Sequence, residues 1–82
     1  MNLPHLALAV ALEAADGQVR IEIYNLLGQK VITLSDGFER AGYKKVVWDG
    51  KDGFGKPVTS GVYFYRIDTP DHFQTKKMLL LK

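Results

Sequence analysis

Apolar and polar residues alternate along most of this chain with a period of two, the pattern of strands that bury one face. Val19-Arg20-Ile21-Glu22-Ile23 is the plainest stretch, with three aliphatic residues on one side and two charged ones on the other. Lys30 to Leu34, Tyr43 to Asp49, Val62 to Asp68 and Phe73 to Leu81 carry the same signal. Leu6 to Leu12 alternates large with small residues, which predicts a strand with Leu6, Leu8, Val10 and Leu12 on one face. Its Ala and Leu content, with Pro4 ahead and Glu13 behind, also suits a helix. Strict alternation favours the strand.

Turn residues separate these segments. Asp16-Gly17 reads as a hairpin turn. Leu26-Leu27-Gly28-Gln29 reads as a turn in which Gly28 takes a positive φ. Ser35 to Gly42 is polar and bounded by glycine, so it reads as a loop. Asp49 to Ser60 is a long glycine-rich turn with room for a short Pro57-Val58-Thr59 strand, and Thr69-Pro70-Asp71 is a tight turn. About seven short strands spaced in this way predict an all-β antiparallel β-sandwich, with the whole chain, 1–82, forming one domain.

The alternation also names a core: Val19, Ile21, Ile23, Val46, Trp48, Tyr63, Tyr65 and Ile67. On the strand from Val62 to Asp68, Arg66 marks the wet face, shared with Val62 and Phe64. Gly61-Val62-Tyr63 is similar to the tyrosine corner of immunoglobulin sandwiches, with Tyr63 in the corner position. The last strand breaks the rule. Met78 and Leu80 lie on one face, Leu79 and Leu81 on the other, and Lys76, Lys77 and Lys82 bracket them. Two readings stand side by side. Either a loop or neighbouring domain covers the second face and the lysines guard a sheet edge, or the segment Lys76 to Lys82 is itself a recognition surface.

Composition narrows the classes. A chain of 82 residues without cysteine must hold its fold through one thin core, with no disulfide or thiolate zinc site. The net charge of +2 is mild and its signs are interspersed, unlike the basic stripe of a nucleic-acid binder. No run approaches the roughly 18 apolar residues of a membrane span. Leu6 to Leu12 lacks a preceding Lys or Arg, so no signal peptide is expected there.

Catalytic chemistry has little to build on. The histidines are His5 and His72, and the serines, Ser35 and Ser60, both fall in turn segments of this reading. No nucleophile motif and no phosphate loop is present, so no catalytic residue and no cofactor is expected. Asp49 and Asp52 invite a calcium reading, but Lys51 sits between them and the ligand spacing is wrong. They read as turn formers whose carboxylates accept nearby backbone N–H groups, with no metal. Tyr24, Tyr43, Trp48, Phe54, Tyr63 and Tyr65 are candidates for stacking on sugars. Those assigned to the core leave few for such a platform.

The ordered set of motifs resembles a known family. Val19 to Val31, with Tyr24-Asn25-Leu26-Leu27-Gly28 at its centre, is similar to the opening of the carboxyl-terminal sorting domains of the type IX secretion system. It is also similar to the immunoglobulin-like domain of the flagellar hook-capping protein. Ala41-Gly42-Tyr43, Trp48-Asp49-Gly50 through Gly55, Ser60-Gly61-Val62-Tyr63 and Lys76-Lys77-Met78 continue the pattern over residues 17–82. The Asn-Pro-rich opening of such domains is only echoed by Asn2-Leu3-Pro4-His5.

The resemblance implies an immunoglobulin-like sandwich and a non-enzymatic module of an exported bacterial protein, passing the periplasm to the surface or medium. It implies that a translocon and a sortase-like processing factor recognise the folded domain, through the terminal strand Lys76, Lys77, Met78, Leu79, Leu80, Leu81 and Lys82. Gly61 and Tyr63 match the Gly-x-Tyr motif, and Trp48-Asp49-Gly50 matches the preceding one. Two alternatives stand beside sorting. One is a spacer or assembly module of the hook-cap kind, packed against copies or a neighbouring domain. The other is a carbohydrate-binding accessory domain.

Overall fold

The structure is a computed structural model that describes residues 8–14 and 16–81, with side chains from residue 16 onward apart from 43–45. Six strands form: β1 (Leu8–Ala14), β2 (Gly17–Tyr24), β3 (Lys30–Glu39), β4 (Gly42–Trp48), β5 (Gly61–Asp68) and β6 (Phe73–Leu80). Every pairing is antiparallel. β1 and β4 make a two-stranded sheet that faces a four-stranded sheet of order β3-β2-β5-β6. The result is an all-β sandwich of immunoglobulin-like type, with six strands among the described residues where about seven were expected of the whole chain. Pro57 to Thr59 adds no strand; it contributes the single bridge Lys51↔Pro57.

The first segment is a strand, not a helix. Its expected start at Leu6 lies outside the described residues, as does the facing of its side chains. Asp16-Gly17 is not a hairpin turn, because β1 pairs with β4 and the chain crosses here to the other sheet. Gly17 passes so close to the Pro70 ring that a Cβ would sit 2.4 Å from its Cγ. The Asp16 carboxylate accepts the Ala41 N–H and ties this crossing to the β3–β4 connection.

Ser35 to Glu39 is strand rather than loop, so Ser35 lies in β3 and not in a turn. The segment lacks an apolar face because β3 is a sheet edge held by backbone pairing to β2 and by polar cross-strand contacts. Gln18 Nε2 donates to Asp36 Oδ1 at 2.7 Å, and Arg20 lies 3.8 Å from the same carboxylate. Register shifts opposite Ile21/Glu22 and Ile23/Tyr24 leave Leu34 and Val31 as extra residues on β3. Such bulges re-aim side chains, and both residues pack against the core.

The core holds every residue the alternation names and adds Met78 and Leu80 of β6. Val19, Ile21, Ile23, Trp48, Tyr63 and Ile67 are buried, and Val46 and Tyr65 pack against them half-buried. Trp48 reaches from β4 to the four-stranded sheet and meets Tyr63 edge-to-face, ring centroids 5.2 Å apart at 70°. The buried polar tips are satisfied. Trp48 Nε1–H donates to the Lys51 carbonyl at 2.9 Å, and Tyr63 O–H donates to the Thr59 carbonyl at 2.7 Å, which is the tyrosine corner. Tyr63→Phe removes that one bond and leaves the ring in place. It is expected to cost about 1–2 kcal/mol in denaturant unfolding, with an unchanged circular dichroism spectrum.

Candidate interaction surface

Two turns at one end of the sandwich are built alike. Asn25-Leu26-Leu27-Gly28-Gln29 joins β2 to β3; Asp52-Gly53-Phe54-Gly55-Lys56 sits inside the β4–β5 connection. In each, the first residue's N–H donates to the fifth residue's carbonyl, and the fourth residue's N–H donates back to the first carbonyl. The fourth residue is a glycine with φ near +80°, Gly28 and Gly55. The first residue's Oδ1 accepts two backbone N–H groups: Leu27 and Gln29 on Asn25, Phe54 and Lys56 on Asp52. Asn25 also donates from Nδ2 to Gln29. Asp49 Oδ1 accepts the Lys51 N–H, so both aspartates take the turn role expected of them.

The second turn is bonded directly to β3, since the Gly53 N–H donates to the carbonyl of Val31, one of the two bulge residues, two positions beyond the first turn. Their tips are bare. Leu27 is 83% exposed and Phe54 92%, with Leu26 similarly open. A groove of about 300 Å³ lies beside the first of them, walled by the Asn25–Leu27 turn and by Thr59, Ser60, Gly61 and Val62. The sequence signal for this feature was Asn/Asp-x-x-Gly-x, present twice. Read singly, each copy says only that the chain turns.

The terminal strand divides between two roles. Met78 and Leu80 are core residues opposite Tyr63 and Gly61. Leu79 and Leu81 are exposed, as are Lys76 and Lys77, while Lys82 lies outside the described residues. Leu79 stands opposite Val62 on the outer face, and Lys77 stands opposite Phe64. Val62 and Phe64 share that face with Arg66, as expected, but are half-buried rather than fully wet. The missing polar face also has an explanation. Gln74 and Lys76 are the inward positions of the first half of β6, opposite Ile67 and Tyr65, and they stay exposed. The two-stranded sheet covers only the Met78–Leu80 half.

The sugar-stacking candidates do not converge. Trp48 and Tyr63 are buried, Tyr65 packs on the core, and Tyr24 is half-buried with its O–H donated to Glu22 at 3.1 Å. Phe54 alone of the described candidates is fully open, and the Tyr43 side chain lies outside the described residues. His72 sits in the β5–β6 turn, where its N–H donates to the Thr69 hydroxyl. His5 lies outside the described residues. Among the described residues no helix is long and apolar enough to cross a membrane.

The turn chemistry is testable. Asp52→Ala removes the acceptor of two amides and is expected to destabilise by about 1–3 kcal/mol, while Asp52→Asn keeps an oxygen there and loses less than half of that. Thermal melts of the two variants against the parent chain check the order.

The family model of the FlgD Ig-like domain matches residues 5–70, which takes in β1 to β5 and ends before β6. No curated protein and no solved structure matches the chain. With most of its length matched, the chain belongs to the FlgD Ig-like domain family.

Proposed function

We propose that this chain is a non-catalytic structural module of the flagellar hook-cap type, which holds a fixed apolar surface against a protein neighbour within an assembly. The observation that carries this reading is the pair of matched turns. They fix Leu26, Leu27 and Phe54 at one end of the sandwich, the two leucines beside a groove, with no contribution from those side chains to the core. Anchors already held in place lose little freedom on binding, so more of their burial appears as affinity. Family membership supports the same reading. On this reading the domain makes no bond, takes no cofactor or metal, and belongs to an exported bacterial protein.

Sorting by a type IX translocon, followed by a sortase-like processing factor, is the second reading. The exposure of Lys76, Lys77, Leu79 and Leu81 along the edge strand β6 favours it. Among the described side chains, carbohydrate binding has Phe54 alone of its candidates to rest on.

Export of a fluorescent reporter separates the first two. The reporter carries a general signal peptide and this chain at its carboxyl end, in a bacterium that possesses type IX secretion. The assembly reading expects an intact fusion held in the periplasm. Delivery to the surface or medium that requires residues 76–82 would overturn it in favour of sorting.

A further inference from the structure

The two edges of the four-stranded sheet, β3 and β6, are built differently. Two bulges break the pairing of β3 with β2, and the Gly53 N–H occupies the Val31 carbonyl, so that edge is blunted. β6 is regular. It pairs with β5 from Gly61↔Leu80 to Asp68↔Phe73 without a register shift, and among the described residues β5 is its only partner. Alternate backbone N–H and C=O groups of β6 therefore point away from the sheet. The strand also carries charge of one sign. Phe73-Gln74-Thr75-Lys76-Lys77-Met78-Leu79-Leu80 holds two lysines and no carboxylate. Both lysines are exposed, and they point to opposite faces. Across from them stand Tyr65 and Phe64, and across from Thr75 stands Arg66, whose Cζ lies 4.3 Å from the centre of the Phe73 ring. The carboxylates of the neighbouring strands are placed elsewhere. Asp68 is opposite Phe73, and Glu22, on the far side of β5, faces Lys30 and accepts the Tyr24 O–H. Among the described residues neither lysine of β6 is in an ion pair.

We propose that β6 accepts an added strand: an extended segment of another protein, antiparallel to β6, with two successive carboxylates opposite Lys77 and Lys76. Main-chain hydrogen bonds to the free edge supply the attraction, and the cross-strand side chains choose the partner. Successive residues of a strand point to opposite faces, so one carboxylate meets Lys77 on the outer face and the next meets Lys76 on the inner one. The inner place is open, because the two-stranded sheet leaves Gln74 and Lys76 uncovered. On the outer face, apolar residues of the added segment lie beside Leu79 and Phe73, both bare in this chain. The lysines also reject a wrong strand. A second β6 laid antiparallel about the middle of the first would set Lys76 of each copy against Lys77 of the other, and like charges directly opposed are unfavourable. The residues that guard the edge against copies of itself thus select an acidic strand. This surface is separate from the matched turns and independent of the hook-cap reading.

NMR titration of the 82-residue chain tests this. The probe is a capped eight-residue peptide, the length of β6, with two glutamates at its centre and valine and threonine around them. A control peptide carries two lysines in their place. The glutamate peptide is expected to bind at least about tenfold more tightly than the control at low salt. Most of that advantage should vanish in about 0.5 M salt, where screening is strong. Binding should slow hydrogen exchange at amides of β6 and leave those of β3 and the matched turns unchanged. The double variant Lys76→Glu/Lys77→Glu, at two exposed positions, should reverse the preference. Methylation of alternate peptide nitrogens separates strand addition from simple attraction of charge. Of the two methylated forms, the one blocked on the side that faces β6 should lose binding, and the other should keep it.

Equal binding of the glutamate and lysine peptides overturns the proposal, as does failure of the glutamate peptide to bind. So does equal binding of both methylated forms, which is attraction of charge without an added strand. Protection of β6 amides that rises with chain concentration, with no peptide present, gives the edge to a second copy and overturns it as well. The reporter experiment judges the hook-cap reading separately, so failure of one is distinguishable from failure of the other.

Discussion

The edge-to-face contact between Trp48 and Tyr63 is the constraint on which the rest of this sandwich depends. A two-stranded sheet has little area with which to close a core, and Trp48 is the largest side chain it buries completely. The same two rings govern the connection between their strands. Trp48 bonds to a carbonyl three residues ahead and Tyr63 to one four residues back, so both flanks of the Asp49–Ser60 segment are tied to the aromatic pair. The course of a long surface loop is thus set from inside the core. This is how a glycine-rich stretch in a chain without cysteine holds one shape.

That arrangement has a cost that the fold alone does not explain. Large apolar side chains at ordered turn tips are hydrated in the lone domain, while turn geometry is satisfied as well by polar residues. Here the turns are reinforced by side-chain acceptors, and the second is tied to β3 by the Gly53 to Val31 bond. Rigidity and bare hydrophobes therefore coincide at one end. By contrast, the ion pairs, Arg20 with Asp36 and Lys30 with Glu22, are long, and of their four side chains only that of Glu22 is largely covered. Pairs of that kind contribute little to stability, so they shape the field of the surface more than they hold the fold.

Much of this architecture is legible in the residues, for reasons that also mark where legibility ends. β2 and β5 lie in the middle of a sheet covered on one face, so their alternation reads directly as inside and outside. Tyr63 and Trp48 are legible for the same reason. The second half of β3 is not, because an edge strand paired only through backbone needs no apolar face, and Ser35-Asp36-Gly37 then looks like any loop. β6 is half legible. Its inward positions change from polar to apolar where the opposing sheet begins to cover them, and no local pattern announces that boundary. The crossing at Asp16-Gly17 fails as a hairpin because a turn dipeptide says that the chain reverses, not which sheet receives it. The surface formed by the matched turns needs both to be seen together, and only the fold brings them to one end.

The pairing of β1 with β4 also has a consequence in time. Among the described residues β4 is the one strand on which β1 is hydrogen-bonded, and β2 and β3 lie between them in the chain. The hairpins β2–β3 and β5–β6 join neighbours and close short loops, whereas β1–β4 closes a long one. During synthesis from the amino end, β1 emerges first and waits for a partner made after two further strands. Until Trp48 has left the ribosome, neither its own sheet nor its core contact exists. The first of the six described strands to be made is thus among the last secured, and its apolar Leu-Ala-Val-Ala-Leu run must be kept from other chains in the interval.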